Sequence, residues 1–205
     1  MDAKINELVT AMITLYHDDP KRIHHFMKVY AFASAIAQSE QVNALLQTRI
    51  EAAALVHDIG IHAAERKYRS AAGAYQEKEG PPLARAMLMT IGFSDSLIDR
   101  VCFLVGHHHT YTEIDGIDFQ ILVEADFLVN AREEKMTKKA ITHFRNVYFQ
   151  TETGKQYLDE TYGLNSLSGC HSKYPMFHKT KMSSSHCWKS AHFLCTYQKF
   201  RYFNH

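Results

Sequence analysis

Ala52-Ala53-Ala54-Leu55-Val56-His57-Asp58-Ile59-Gly60 is an apolar run that ends in an imidazole beside a carboxylate. Five consecutive apolar residues predict burial, and a buried His next to a buried Asp is costly unless each finds a partner. A divalent cation satisfies both at once, because it takes neutral imidazole and ionised carboxylate as ligands. Taken alone, such a pair is more often a helix cap or a hydrogen-bonded pair in the core than a metal site. The rest of the chain has to decide between these readings.

Outward from this segment the chain reads as helix after helix. Upstream, the helix carrying it runs from about Ala44 to Ile59, with Gly60 as its C-cap. Asp19-Pro20 pairs an N-cap with a first-turn proline, opening a helix through about Ser39. Its apolar positions Phe26, Val29, Tyr30, Ala33 and Ile36 keep the 3/4 spacing of a one-sided helix. Ile5, Leu8, Val9, Met12, Ile13 and Tyr16 do the same at the N-terminus. Downstream, Ile61 to Glu79 is polar and basic and predicts a long loop. Pro81-Pro82 then predicts a helix start, with Gly92 closing it after Ile91. Further helices are expected at Asp95–Val105, Ile117 to about Arg132, Lys138–Phe149 and Gly154–Tyr162. No strand pattern or internal repeat is evident, so the expected class is all-α.

Other polar anomalies sit in this helical body: His24-His25, His107-His108-His109 and Asp126. Asp126 falls within Ile121-Leu122-Val123-Glu124-Ala125-Asp126-Phe127-Leu128-Val129 and shares a helix face with Leu122, Ala125 and Val129. Its carboxylate is therefore directed with core residues, and the ion that would satisfy His57-Asp58 would satisfy it too. Each piece has a plain alternative. An arginine on a neighbouring helix would answer for Asp126, and three histidines at a helix C-terminus suit the dipole.

The order His25, His57-Asp58, Asp126, each on its own helix, resembles the HD-domain superfamily of phosphohydrolases. His25-Phe-Met-Lys-Val29-Tyr-Ala-Phe-Ala33 is similar to that family's first element and selects His25 over His24. Ala54-Leu55-Val56-His57-Asp58-Ile59-Gly60 spells the HDIG form of its motif, and Val123-Glu124-Ala125-Asp126 supplies the third element. The resemblance covers about residues 18–135. It implies an HD-type helical bundle with one divalent ion (Mn, Fe, Co, Ni or Mg) on His25, His57, Asp58 and Asp126. It also implies hydrolysis of a phosphomonoester or phosphoanhydride, a nucleotide among the candidates, by metal-activated water attacking phosphorus. Asp58 would then be catalytic as well as a ligand.

Relatives with a second metal carry extra histidines. This chain has His107-His108 but places Glu79 where another His would stand. One metal is therefore favoured over two, with His107 and His108 stabilising charge on the phosphate. Lys67, in Glu65-Arg66-Lys67-Tyr68-Arg69, and Arg22 are the candidate phosphate contacts, with Glu79 also assigned to the substrate side. The alternatives are a di-iron oxygenase of the same superfamily and a non-catalytic helical ligand-binding module. A cyclic-dinucleotide phosphodiesterase is disfavoured, because Asp115-Gly116 runs into Ile117-Asp118-Phe119 instead of Gly-Tyr-Pro.

Charge divides the chain at about residue 164. Six of the 23 basic residues and none of the 22 acidic ones fall in 165–205, leaving about −5 on the preceding part. The later segment, basic and rich in Cys, His and Ser, has no sustained period and is expected to take no part in catalysis. Its cysteines lack zinc-site spacing and its cations lack an ordered nucleic-acid pattern. No apolar run is long enough to span a membrane, and the N-terminus lacks a secretory pattern, so a cytoplasmic location is expected. The sequence does not specify an oligomeric state.

Overall fold

The computed structural model describes residues 3–112 and 114–164, and among them every regular element is a helix. In chain order these are α1 (Ala3–Leu15), α2 (Pro20–Ser39), α3 (Ala44–Val56), α4 (Ile61–Tyr68) and α5 (Gly73–Ile91). They continue as α6 (Asp95–Val105), α7 (Ile117–Glu133), α8 (Lys138–Tyr148) and α9 (Glu152–Tyr162). The expectations for the Cys/His/Ser-rich segment at 165–205 lie outside the described residues.

Local chemistry starts and stops these helices. Asp19 accepts from the backbone of Arg22 at 3.2 Å, with Pro20 following it. Asn43 caps α3 through the backbone of Leu46 at 2.9 Å, and Thr137 and Thr151 cap α8 and α9 in the same way. Gly92 closes α5 with φ 82°, a left-handed conformation that glycine adopts without a Cβ penalty.

Two sequence expectations need correction between α3 and α6. The segment expected to be a loop after residue 60 folds as α4, with the left-handed Arg69 (φ 57°) ending it. The proline pair does not open a helix, because α5 begins eight residues earlier at Gly73 and carries Pro81 and Pro82 in its interior. Packing overrides the breaker signal here. A Cβ on Gly60 would lie 2.6 Å from the Gln76 carbonyl oxygen and 2.7 Å from the Gly80 nitrogen, so the α3–α4 turn rests directly on the α5 backbone. Gly60 is accordingly the N-cap of α4, and α3 ends sooner than expected, at Val56.

Helices α2, α3 and α7 pack against one another, α3 also meets α1 and α6, and α5 lies along α4 and α6. At the centre is α7, in which every residue from Asp118 to Val129 is buried, as expected of a helix apolar on nearly all sides.

Candidate metal centre

Two helices and one turn deliver four polar side chains to the middle of this bundle. His25 comes from the buried face of α2, whereas His24 beside it is exposed. His57 and Asp58 sit in the turn after α3, tightened by Ile59 N–H donating to Val56 O at 3.0 Å and Ile61 N–H donating to Asp58 O at 3.0 Å. The Tyr16 hydroxyl also donates to Asp58 O, at 2.9 Å, tying the turn to the end of α1. Asp126 enters from α7.

The two imidazoles stand at nearly uniform spacing from each other and from both carboxylates. His25 Nε2 lies 3.2 Å from His57 Nε2, 3.4 Å from Asp58 Oδ2 and 3.3 Å from Asp126 Oδ1. His57 Nε2 lies 3.4 Å from Asp58 Oδ2 and 3.5 Å from Asp126 Oδ1. Ligand atoms about 2.1 Å from a common ion are separated by about 3.0 Å at right angles and about 3.4 Å at the tetrahedral angle. The observed spacings fall in or beside that range.

The outer contacts of the imidazoles decide what faces inward. His57 Nδ1 sits 2.8 Å from Ala54 O, and a carbonyl only accepts, so this nitrogen carries the proton. His25 Nδ1 sits 3.1 Å from Glu133 Oε2 and donates to that carboxylate. When neutral, both rings therefore present Nε2 lone pairs to each other and to two carboxylates. Without positive charge in their midst, four acceptors would repel. Burial pulls the pKa of His57 down, but Asp58 and Asp126 outweigh it and hold the group well above the ordinary histidine value. Burial likewise pushes Asp126 up, and His25 and His57 reverse it, leaving the carboxyl below its usual range. The cluster demands a cation, either a proton on a ring or a metal ion between the four.

The other buried acids of α7 make Asp126 distinctive. Asp118 receives Arg100 at 2.7 and 2.9 Å and Arg49 at 3.2 Å. Glu124 accepts from the backbone of Gln150 and Thr151, at 2.6 and 2.9 Å, and from the Gln120 amide at 2.7 Å. Among the described residues Asp126 has one donor, the Asn130 amide at 2.9 Å on Oδ2, and its buried Oδ1 has none. An arginine satisfies Asp118. None satisfies Asp126.

A second group adjoins the first. Asp58 turns Oδ2 toward His25 and His57, and its Oδ1 lies 3.3 Å from His108 Nε2. Asp58, His108 and His109 each bring a ligand atom within 4.8 Å of the others. The Nε2 atoms of His108 and His109 are both buried without a hydrogen-bond partner among the described residues. Burial and the neighbouring His108 push His109 down to about 4, so its ring is neutral near pH 7.

His107 is not part of this arrangement, contrary to expectation. Its Nδ1 donates to Phe103 O at 2.7 Å and its ring stacks on Phe103 at 4.2 Å. The chain turns after Val105, with Thr110 N–H donating to His107 O at 2.7 Å, so His107 parts from His108 and His109, whose rings lie 4.0 Å apart. The pair at the cluster is His108-His109.

Of the expected substrate contacts, none is a free charge. Lys67 Nζ and the Tyr68 hydroxyl both donate to Glu79 Oε1 at 2.8 Å, and Glu79 is not among the converging ligand groups. Arg22 is held by Asp19 at 2.7 Å and by Glu65 at 2.6 Å. Asn130 and Glu133 escaped the sequence reading, although their positions four and seven residues after Asp126 place them on its helix face.

Neither any family model nor any curated protein sequence matches the chain. Among solved structures, a predicted HD superfamily hydrolase from an uncultured Thermotogales bacterium is similar to it, at 25% identity and a TM-score of 0.54. The similarity covers 78% of this chain and 85% of that one. Joined to the helical order of His25, His57-Asp58 and Asp126, this likeness supports the HD-domain superfamily for the chain.

Proposed function

We propose that the chain is a metal-dependent phosphohydrolase acting on a phosphomonoester or phosphoanhydride, with nucleotides the first substrates to try. The observation that supports this best is the approach of His25 Nε2 and His57 Nε2 to each other and to Asp58 Oδ2 and Asp126 Oδ1, at 3.2–3.5 Å. These four residues would hold one divalent ion. Bound there, an ion supplies Lewis acidity toward a phosphoryl oxygen and lowers the pKa of water.

The chain's own groups complete the reading. Asp58 reaches both clusters, so it fixes the metal ligands relative to His108. His108 and His109 line the side on which a phosphoryl group would lie, and the neutral His109 ring contributes hydrogen bonding without a competing charge. Lys67 is exposed at the end of α4, so it can exchange Glu79 for a phosphate oxygen at little desolvation cost.

A second reading is favoured by one specific observation, the unpartnered Nε2 atoms of His108 and His109 beside Asp58. A second ion on Asp58, His108 and His109 would answer for both. Metal content separates the two. Protein purified without chelator is analysed for metal and assayed for phosphate release from p-nitrophenyl phosphate and a nucleotide panel, alongside Asp58→Ala and Asp126→Ala. About one equivalent of metal, with release lost in both variants, supports the mononuclear hydrolase. Two equivalents with phosphate release support the second reading, and two equivalents of iron with no release support an oxygenase. No metal after reconstitution, with variants matching wild type, sinks the catalytic reading and leaves a ligand-binding module.

A further inference from the structure

We infer that Glu133, clamped by Lys28, is the positioning residue that fixes the tautomer and ring orientation of His25. The inference rests on the metal reading above and concerns groups that supply no ligand themselves. Glu133 lies at the C-terminal end of α7, seven residues and two turns beyond Asp126. The same helix face thus carries a proposed ligand, the Asn130 amide that holds it, and the carboxylate that reaches a ligand on α2.

The geometry is divided between two oxygens. Glu133 Oε2 faces His25 Nδ1 at 3.1 Å, while Oε1 receives Lys28 Nζ at 2.5 Å. Lys28 is three residues after His25 on α2, so α2 supplies both the ring and the cation that holds its orienting acid. Lys28 is about half exposed, whereas Glu133 is largely buried, so the clamp works from the rim inward. His57 uses a main-chain carbonyl, Ala54 O, for the same purpose, and His108 uses Val105 O. His25 alone among these depends on a side chain. Its α2 carbonyls are spent in the helix ladder, and among the described residues the partner of its Nδ1 is the Glu133 carboxylate and not a backbone oxygen.

Without Glu133 the His25 proton is free to move to Nε2, where it blocks the lone pair aimed at the cluster. The expected consequence is weaker metal binding with the fold retained. Outer carboxylates that orient metal-bound histidines are worth about 10- to 100-fold in affinity.

The test compares wild type, Glu133→Ala, Glu133→Gln and Lys28→Met. Mn²⁺ affinity is measured by titration calorimetry, and the His25 tautomer is read by long-range ¹H–¹⁵N NMR on metal-free protein at alkaline pH, where the ring is neutral. Glu133→Ala is expected to weaken Mn²⁺ binding about 10- to 100-fold and to shift His25 from Nδ1–H toward Nε2–H. Glu133→Gln keeps an acceptor opposite Nδ1 and should recover most of the affinity and the tautomer, and Lys28→Met should fall between. An unchanged tautomer and affinity in Glu133→Ala overturn the inference. If that variant unfolds, a Glu133→Gln protein that folds yet shows Nε2–H overturns it as well. Failure of the metal reading is distinct: wild type itself would bind no Mn²⁺, while the NMR comparison would still decide what Glu133 does to His25.

Discussion

Gly60→Ala tests whether the turn bearing Asp58 is seated on α5 as tightly as the structure has it. The added Cβ would stand 2.6 Å from Gln76 O and 2.7 Å from Gly80 N, and both are main-chain atoms of a 19-residue helix. Reaching an ordinary 3.4 Å contact requires the turn and α5 to part by about 0.8 Å, and no side chain can rotate away to relieve it. Overpacking of this kind costs about 1–3 kcal/mol, and the rigid backbone on both sides puts Gly60 at the upper end, about 3 kcal/mol. For a domain of this size each kcal/mol lowers Tm by about 2–4 °C, so a drop of about 6–12 °C is expected. Gly92→Ala is the control, because its φ of 82° opposes a side chain but nothing lies within 4 Å. It should cost about 1–2 kcal/mol from conformation alone. Differential scanning calorimetry on metal-free proteins measures both. If Gly60→Ala melts within about 2 °C of wild type, the close seating of the turn on α5 is wrong.

Three further outcomes follow from the site and its surroundings. Metal removal by chelator should lower the wild-type melting temperature, since an ion at 100 times its Kd stabilises by about 2.7 kcal/mol; Asp126→Ala should melt at the same temperature with and without chelator. His107→Ala should leave phosphate release within about threefold of wild type, whereas His109→Ala, made beside Asp58, should lower it by at least about 100-fold; the reverse order refutes the placement of these rings. Acid stability should depend on Arg100. Burial alone would raise Asp118, but the Arg100 guanidinium outweighs it and holds the carboxyl below its ordinary value. A depressed folded-state pKa gives stability that is full above the unfolded value of about 3.9 and is lost as pH falls through the folded one. Arg100→Gln should therefore move acid unfolding, followed by far-ultraviolet circular dichroism, to higher pH.

The helical class was legible because apolar spacing along α1 and α2 largely follows burial, with Ile5, Leu8, Met12, Val29, Ala33 and Ile36 all fully buried, although Ile13, expected on the same face of α1, is exposed. The segment after Gly60 was not. Helix α4 has only Ile61 and Ala64 buried, and the first half of α5 docks through glycine and main-chain contacts that leave no apolar periodicity to detect. His25, His57, Asp58 and Asp126 stood out as polar groups in apolar settings, and they converge. The choice among His107, His108 and His109 depends on a turn at Gly106 whose direction no spacing encodes. Glu133 sits in Arg132-Glu133-Glu134-Lys135, a string that reads as a solvated helix end, so only the three-dimensional approach of α2 gives it a partner.

The burial of α7 on all sides has a consequence for how the chain finds its structure. A helix apolar around its whole circumference gains about the same from any rotation or axial slip, so hydrophobic contact alone cannot set its register. Asp118, Glu124 and Asp126 break that degeneracy, because each meets its partners in only one placement: Arg49 and Arg100, the Gln150–Thr151 segment, and the two imidazoles. A slip by one residue turns the helix by about 100° and strands all three carboxylates among hydrocarbon, at several kcal/mol each. The acids of α7 therefore act as a combination lock. The proposed metal ligand, Asp126, is delivered to its position by two neighbours that never touch it.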